Sequence, residues 1–81
     1  MSWFLYLLEC EDGSLYTGIA RDVNARFALH SSGKGAKYTR SHRPVSIVGF
    51  AEFPDRSSAS KAEYAVKCLS PGEKWSLFLS L

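Results

Sequence analysis

Five side chains with chemical capacity stand far apart in this 81-residue sequence: Tyr6, Tyr16, Arg26, His30 and Glu63. A guanidinium can bind a phosphate in a two-pronged fork and neutralise charge that develops during cleavage. A phenol is a poor base at neutral pH, because its pKa is about 10, unless nearby positive charge lowers that value. Arg26 is therefore a candidate for phosphate binding, and the fold decides whether any of the other four side chains lies beside it.

Each of these residues also has an ordinary structural interpretation. Arg26 can pair with Asp22 on an exposed helix face, a contact worth only about 0.3–0.5 kcal/mol. Glu63 stands four residues before Lys67, which is the spacing of a helical ion pair. The tyrosines are by default core or rim aromatics whose hydroxyls find a hydrogen bond, and a lone histidine is more often half-buried and structural. Residue types alone leave these alternatives open.

The middle of the chain is strongly basic, although the net charge is only +2. Between residues 13 and 50 a single acid, Asp22, accompanies six basic residues: Arg21, Arg26, Lys34, Lys37, Arg40 and Arg43. The run GKGAKYTRSHRP places an aromatic, Tyr38, inside this block. Such a block suits contact with a phosphate backbone, whose affinity comes from counterion release. A solvated loop is the alternative interpretation.

The stretch that must position the tyrosines is residues 3–19, where two apolar, β-prone runs flank Glu11, Asp12 and Gly13. An Asp-Gly pair between such runs is among the strongest signals for a β-hairpin. A two-residue turn at Asp12 and Gly13 would place Tyr6 and Tyr16 on opposite faces, because side chains alternate along a strand. The turn therefore decides whether the tyrosines can share a site.

We predict a three-residue turn with Gly13 in the left-handed region. This register pairs Leu8 with Tyr16 and Tyr6 with Gly18, which places both tyrosines on one face. We prefer it because a shared site requires that arrangement. The missing side chain of Gly18 would leave room opposite the Tyr6 ring for a ligand backbone.

The rest of the chain predicts a strand and three helices. Asp22 is a good N-cap for a helix over residues 23–32, which Gly33 ends, and Arg26 and His30 lie on one stripe of it. Residues 34–44 form a loop, and residues 45–53 form the third strand. A helix over residues 58–69 turns four apolar residues inwards, with Glu63 at the border of that face: Ala59, Ala62, Val66 and Leu69. A capping box at residues 70–73 starts the last helix, whose apolar stripe is Trp75, Phe78 and Leu79.

These elements predict one α+β domain over residues 1–81, in the order ββαβαα. The first strand is apolar on both faces, so we place it in the middle of a three-stranded sheet with helices on both faces. With 46% hydrophobic and 22% charged residues, the composition is that of a globular protein. No apolar run is long enough to cross a bilayer, and we expect a cytoplasmic location. Cys10 and Cys68 are too few for a disulfide framework, and we expect buried free thiols.

The motifs resemble those of the GIY-YIG nuclease domain. Tyr6 ends an apolar strand, Tyr16-Thr17-Gly18 lies on the next, and an arginine and a histidine follow on a helix. The segments LLEC, DGSLYTG and GKGAKYTR are typical of the small stand-alone bacterial (UPF0213-like) members. The resemblance covers nearly the whole chain, and it implies that the third strand runs antiparallel to the first.

The resemblance implies a metal-dependent endonuclease that hydrolyses a phosphodiester with water as nucleophile. Glu63 matches the family's metal ligand, for Mg²⁺ or Mn²⁺, and a lone carboxylate suits Mg²⁺ because this ion keeps several waters. Tyr6 is the predicted base and Tyr16 positions the water, while Arg26 binds a phosphate oxygen and His30 has a role that varies within the family. We expect the helices of Arg26 and Glu63 to lie with their inner edges against the tyrosine face. The predicted nucleic-acid contacts are Arg21, Lys34, Lys37, Tyr38, Arg40 and Arg43.

The sequence departs from the family pattern in three places. The first motif reads Phe4-Leu5-Tyr6 rather than Gly-Ile-Tyr. Ile19 stands where many members carry a lysine, with Arg21 as a possible substitute, and the last helix lacks the asparagine that some members use. These departures bear more on catalytic efficiency than on the fold.

Two other functions stay open from the sequence alone. One is a nucleic-acid-binding module that does not cleave, and the other is a small adaptor that docks on a larger protein through Trp75 and Phe78. DNA is our working expectation for the nucleic acid, while RNA, duplex and branched forms remain open. We also consider a homodimer or a larger protein partner, and we expect no membrane partner.

Overall fold

The computed structural model describes residues 2–35 and 37–80. The elements follow the predicted order, with one short helix added: β1 (Trp3–Cys10), β2 (Leu15–Ala20), α1 (Val23–Ser31), α2 (Lys37–Ser41), β3 (Pro44–Phe53), α3 (Arg56–Lys67) and α4 (Pro71–Leu79). The helix α2 lies inside the segment that we predicted as loop. A helix of five residues is too short for a helical periodicity to show in the sequence. Thr39 is the buried residue of this helix.

The predicted sheet is confirmed: three antiparallel strands in the described residues, in the order β2-β1-β3. The central strand β1 is covered on both faces, which explains its apolar character on both. The pairing of β1 with β3 shifts register between Leu7 and Leu8 and again between Glu9 and Cys10. The strand β2, which carries Tyr16, is an edge strand of this sheet.

The predicted hairpin register is also confirmed. Leu8 pairs with Tyr16 and Tyr6 with Gly18. Gly13 has φ +82°, and its N–H donates to the Cys10 carbonyl at 2.9 Å. The three-residue turn therefore places both tyrosines on the same face of the sheet.

The core lies on both sides of the sheet. On one side Tyr6 and Leu8 pack with Ala20 and with Val23 of α1. On the other side the core is formed by residues of β1, α3 and α4: Leu5, Leu7, Val66 and Phe78. Each face of β1 thus has its own helical cover, as the apolar character of the strand predicts.

The helix ends show which local signals the sequence carried. Asp22 caps α1 by accepting from the Ala25 N–H at 3.0 Å, and Gly33 follows its end at φ +81°. The capping box of Ser70 and Glu73 begins α4 as predicted. The start of α3 is two residues earlier than expected, because Asp55 is its N-cap.

Three predictions about exposure are wrong. Leu79 is 68% exposed and does not belong to the apolar stripe of α4. Phe78 is buried in the core, so it cannot serve as a docking residue for a partner. Cys10 is buried, but Cys68 is exposed at the C-cap of α3. Within the described ranges, no helix is long and apolar enough to cross a bilayer.

Candidate active site

The fold brings the five candidate side chains around one cavity of about 350 Å³. Its lining includes side chains from β1, β2, α1 and α3: Tyr6, Tyr16, Arg26, His30 and Glu63. Lys34 and Gly35, which follow α1, complete the lining together with Gly18, Ile19 and Leu29. Tyr6 and Glu63, which are 57 positions apart in the sequence, thus line the same cavity because the tertiary structure brings them together.

The helices reach this cavity from opposite sides of the sheet, and our expectation for α3 is wrong on this point. The helix α1 covers the tyrosine face, whereas α3 packs through Val66 against Leu5 and Leu7 on the other face. Glu63 nevertheless lines the cavity, beside Gly18 and Ile19 of the edge strand β2. The cavity therefore wraps around that edge, and the sheet does not separate Glu63 from the tyrosines.

Tyr6, His30 and Thr39 form a buried hydrogen-bonded chain. The Tyr6 hydroxyl lies 3.0 Å from Nε2 of His30, and Nδ1 of His30 lies 2.8 Å from the Thr39 hydroxyl. Each of the three side chains is about 2% exposed. Two tautomers satisfy the chain: the Tyr6 O–H donates to Nε2 while Nδ1–H donates to Thr39, or both directions are reversed. Either arrangement fixes the orientation of the imidazole and the phenol.

The surroundings of Tyr6, His30 and Tyr16 favour the neutral forms of these side chains at physiological pH. Burial raises the pKa of Tyr6 well above its usual value, with further increases from Tyr16 and Glu63, while Arg26 acts in the opposite direction. Burial, and then the charge of Arg26, lowers the pKa of His30. Burial and the charge of Glu63 also raise the pKa of Tyr16. A free phenolate is therefore disfavoured at both tyrosines.

Two glycines, Gly18 and Gly35, allow Tyr6 and His30 to pack closely against the backbone. A Cβ on Gly18 would lie 2.5 Å from the Tyr6 hydroxyl oxygen and 3.2 Å from Cε2 of Tyr16. The space at Gly18 is thus filled by the Tyr6 phenol, and our expectation that it stays open for a ligand backbone is wrong. A Cβ on Gly35 would overlap the His30 imidazole. Sequence reasoning missed Gly35 and Thr39, because it interpreted their segment as a loop, either phosphate-binding or solvated, without packing contacts.

A column of rings continues from the cavity to the hairpin turn. The Tyr16 ring lies 5.1 Å from that of His30 and stacks on Tyr38 at 5.8 Å. Tyr38 stacks in turn on His42 at 4.2 Å, and Nδ1 of His42 lies 2.7 Å from Oδ2 of Asp12. The hydroxyl and then the N–H of Ser14, followed by His42, hold the pKa of Asp12 at about 2. The column ties α2 to the turn and supports Tyr16 from one side.

The predicted nucleic-acid contacts occupy different places around this site. Lys34 lines the cavity itself. Arg21 and Arg26 line a neighbouring hollow, and Arg40 and Arg43 line another beside His30. Lys37 is exposed on α2. Tyr38 is 38% exposed and stacked within the ring column, so it has a structural contact as well.

Glu63 takes part in an ion pair on its own helix and also lines the cavity. Its Oε2 lies 3.5 Å from Nζ of Lys67, which is the predicted helical ion pair, and its side chain also lines the cavity. In the part of the chain that the structure describes, no three His, Cys, Asp or Glu residues are placed to share a metal ion. A cation here would have Glu63 as its protein carboxylate and would complete its shell with water and phosphate oxygens. That all-oxygen donor set fits Mg²⁺ or Mn²⁺.

The sequence is similar to a known family and to known proteins. The family model described as the GIY-YIG catalytic domain matches residues 2–72. A UPF0213 protein of Cupriavidus pinatubonensis is 57% identical over 72 residues, which cover 89% of this chain and 80% of that protein. A UPF0213 protein of Staphylococcus epidermidis is 49% identical over 71 residues, covering 88% and 87%.

Two solved structures are also similar. The solution NMR structure of a UPF0213 protein from Bacillus halodurans has a TM-score of 0.58 at 48% identity, over 95% of this chain and 82% of that one. The solution NMR structure of a protein from E. faecalis has a TM-score of 0.64 at 38% identity, with the same coverage. Both similarities extend over nearly the whole of the present fold.

Proposed function

The chain belongs to the GIY-YIG family, whose members are known as nucleases, and we propose that it is a metal-dependent endonuclease that hydrolyses phosphodiester bonds of nucleic acid. The observation that carries this proposal is the single cavity lined by Tyr6, Tyr16, Arg26, His30 and Glu63. A protein that only binds nucleic acid has no evident use for two phenols, a carboxylate and a guanidinium in one cavity. We expect DNA as the substrate.

Glu63 would hold the divalent cation, Mg²⁺ or Mn²⁺, on which GIY-YIG nucleases generally depend. When bound, such an ion supplies charge stabilisation for the phosphate and lowers the pKa of a coordinated water. Lys67 stands close enough to Glu63 to compete for its carboxylate.

Tyr6 and His30 would together accept the proton of the attacking water. The raised pKa of Tyr6 disfavours a phenolate as the resting base. Its hydrogen bond to Nε2 offers another route: the Tyr6 oxygen takes a proton from water while its own proton passes to His30. Thr39 would accept from Nδ1–H and so stabilise the imidazolium that results. Tyr16, supported by the ring column, would position the water beside Tyr6.

Arg26 would bind a non-bridging or leaving oxygen of the scissile phosphate. Its fork geometry suits a phosphate, and its charge offsets the negative charge that grows in the transition state. Lys34 lines the same cavity, so it can supply the second cation that Ile19 does not provide. This assigns to Lys34 the role that the sequence had suggested for Arg21, which lines the neighbouring hollow.

The basic residues outside the cavity would hold the backbone of the substrate. Lys37, Arg40 and Arg43 are exposed on or after α2, which the ring column fixes to the hairpin. Contacts of this kind give affinity without sequence preference. The site would therefore cleave a strand that the basic segment has already aligned.

The test is a Mg²⁺-dependent cleavage assay on a panel of structured DNA and RNA, with Glu63→Ala as the inactive variant. Lys67→Ala is the matched control, because it breaks the same ion pair but leaves the carboxylate. We expect cleavage by wild type and Lys67→Ala and none by Glu63→Ala. Undiminished activity in Glu63→Ala would show that the cation is held elsewhere or not used. Binding without any cleavage by the wild type would favour the non-catalytic module.

A further inference from the structure

A second hollow, of about 320 Å³, adjoins the candidate active cavity and has no role in the mechanism above. We call it the Trp3 hollow. Its lining combines an indole, small and branched apolar side chains and two guanidinium groups: Trp3, Ala20, Ala25, Leu29, Arg21 and Arg26. Its volume is at the lower end of the range of ligand pockets, roughly 300–1,000 Å³.

The two cavities share part of their walls. Arg26 and Leu29 line both of them, so one guanidinium borders the candidate catalytic groups on one side and the indole on the other. A phosphate bound by Arg26 would therefore have its attached nucleoside next to Trp3. This continuity indicates that the two cavities receive neighbouring parts of one ligand.

The composition of the Trp3 hollow identifies the kind of group that fits it. The half-buried indole lines the hollow with aromatic surface, which leaves a face for stacking, and Cζ of Arg56 lies 5.5 Å from the centroid of its ring in a cation–π contact. A nucleobase stacks on such a face irrespective of its identity. A phosphate alone would make no use of the indole and would meet the carboxylate of Asp22, which also lines the hollow. An apolar side chain would make no use of the guanidinium groups.

From these observations we infer that the Trp3 hollow binds the nucleobase next to the scissile phosphate, stacked on Trp3, with Arg21 and Arg26 on the flanking phosphates. The inference rests on the proposed function, because it assigns a subsite of the same ligand. It also defines the substrate: a base that stacks on Trp3 cannot remain stacked in a duplex. The nucleotide beside the cleaved bond must therefore be unpaired, or be turned out of its helix at an energetic cost.

The first test scans a single abasic nucleotide along a single-stranded DNA that the protein binds and cleaves. We expect one position, directly next to the cleaved bond, at which loss of the base lowers affinity or kcat/KM by roughly 5- to 150-fold. In Trp3→Leu this penalty should disappear, and in Trp3→Phe it should be reduced but present. Trp75→Phe, which alters the tryptophan on α4, is the matched control and should keep the full penalty.

The second test needs no catalysis and uses the native Trp3. In Trp75→Phe, where Trp3 is the sole tryptophan, emission should be quenched when the same DNA binds without a divalent cation, and less so with the critical abasic strand. Failure to bind any nucleic acid would overturn both this inference and the proposed function. Binding with a flat abasic scan, or with unchanged Trp3 emission at saturation, would overturn only the inference. Because this variant retains Trp3, the test does not depend on the folding of Trp3→Leu.

Discussion

The Tyr6 hydroxyl lies 3.0 Å from Nε2 of His30, and both side chains are almost completely buried. Burial moves their pKa values apart: that of Tyr6 is raised and that of His30 is lowered. Both changes favour the neutral forms, so a proton moved from Tyr6 to His30 alone would create two disfavoured charges. The pair is therefore suited to a coupled transfer, in which the Tyr6 oxygen gains a proton from water as its own proton passes to His30.

This pair predicts how stability changes with pH. Because the pKa of His30 is lower in the folded state, its contribution to stability should be complete above about pH 6.5, the unfolded value, and decline as pH falls below it. Because the pKa of Tyr6 is raised, its contribution should be complete below about pH 10 and decline above that value. Urea unfolding across these ranges measures both changes. His30→Gln should lose the decline that begins just below pH 6.5, while His42→Gln, which removes the other histidine, should retain it.

A substitution at Gly35 should disturb the Tyr6–His30 pair, although Gly35 is not a member of it. A Cβ at Gly35 would overlap the imidazole, so Gly35→Ala must displace either the segment or His30. We expect a loss of about 1–3 kcal/mol in unfolding free energy and at least a tenfold fall in kcat. Gly72→Ala is the matched control, because nothing lies within 4 Å of its added Cβ, and it should leave kcat unchanged. Equal kcat in the two variants would show that the orientation of His30 is not needed for turnover.

The parts of the fold that could be predicted are those that local chemistry specifies. Gly13 allows the turn that sets the hairpin register, and Asp22 and Ser70 cap their helices through their own neighbouring backbone. These signals lie within a few residues of the structure that they determine. The choice of the three-residue turn over the two-residue turn rested instead on the requirement that Tyr6 and Tyr16 share a site, and the observed register places them on one face.

The parts that could not be predicted depend on contacts between distant residues. Both faces of β1 are apolar, so no pattern in it tells which face α3 covers. Asp12 and His42 are 30 residues apart, and nothing near either one indicates the other. Gly35 has its role only because the His30 ring lies against it. Sequence reasoning could list the candidate residues, but the packing decides how they meet.

The basic segment, which comprises Lys37, Arg40 and Arg43, should give an affinity for nucleic acid that depends on salt but not on nucleotide sequence. Neutralising Arg40 or Lys37 should weaken binding about equally for all sequences and make the slope of log K against log salt shallower by roughly one unit for each contact. Fluorescence anisotropy at several salt concentrations measures this slope. Lys61→Ala, which alters an exposed residue on α3, is the control and should leave it unchanged. If Lys37→Ala/Arg40→Ala bound with the wild-type slope, the segment would serve only as a solvated surface.

Arg26 and Glu63 predict a division between binding and turnover. Removing the carboxylate in Glu63→Gln should abolish turnover but leave most of the affinity, because the metal acts chiefly in the transition state and the basic segment supplies most of the binding. Arg26→Ala should lower affinity and kcat together, with a loss of roughly 10²- to 10³-fold in kcat. Arg26→Lys keeps the charge but not the fork, so it should recover affinity more fully than kcat.

Arg40→Ala is the control for the separate effects on binding and turnover, because the Arg40 side chain lines a different hollow. It should weaken binding while leaving kcat at saturating substrate close to that of the wild type. Single-turnover rates and equilibrium binding, measured on the same DNA, separate the two quantities. If Arg26→Ala reduced affinity alone, Arg26 would belong with the backbone contacts. The transition-state charge would then be offset by the divalent cation and by Lys34, which also lines the cavity.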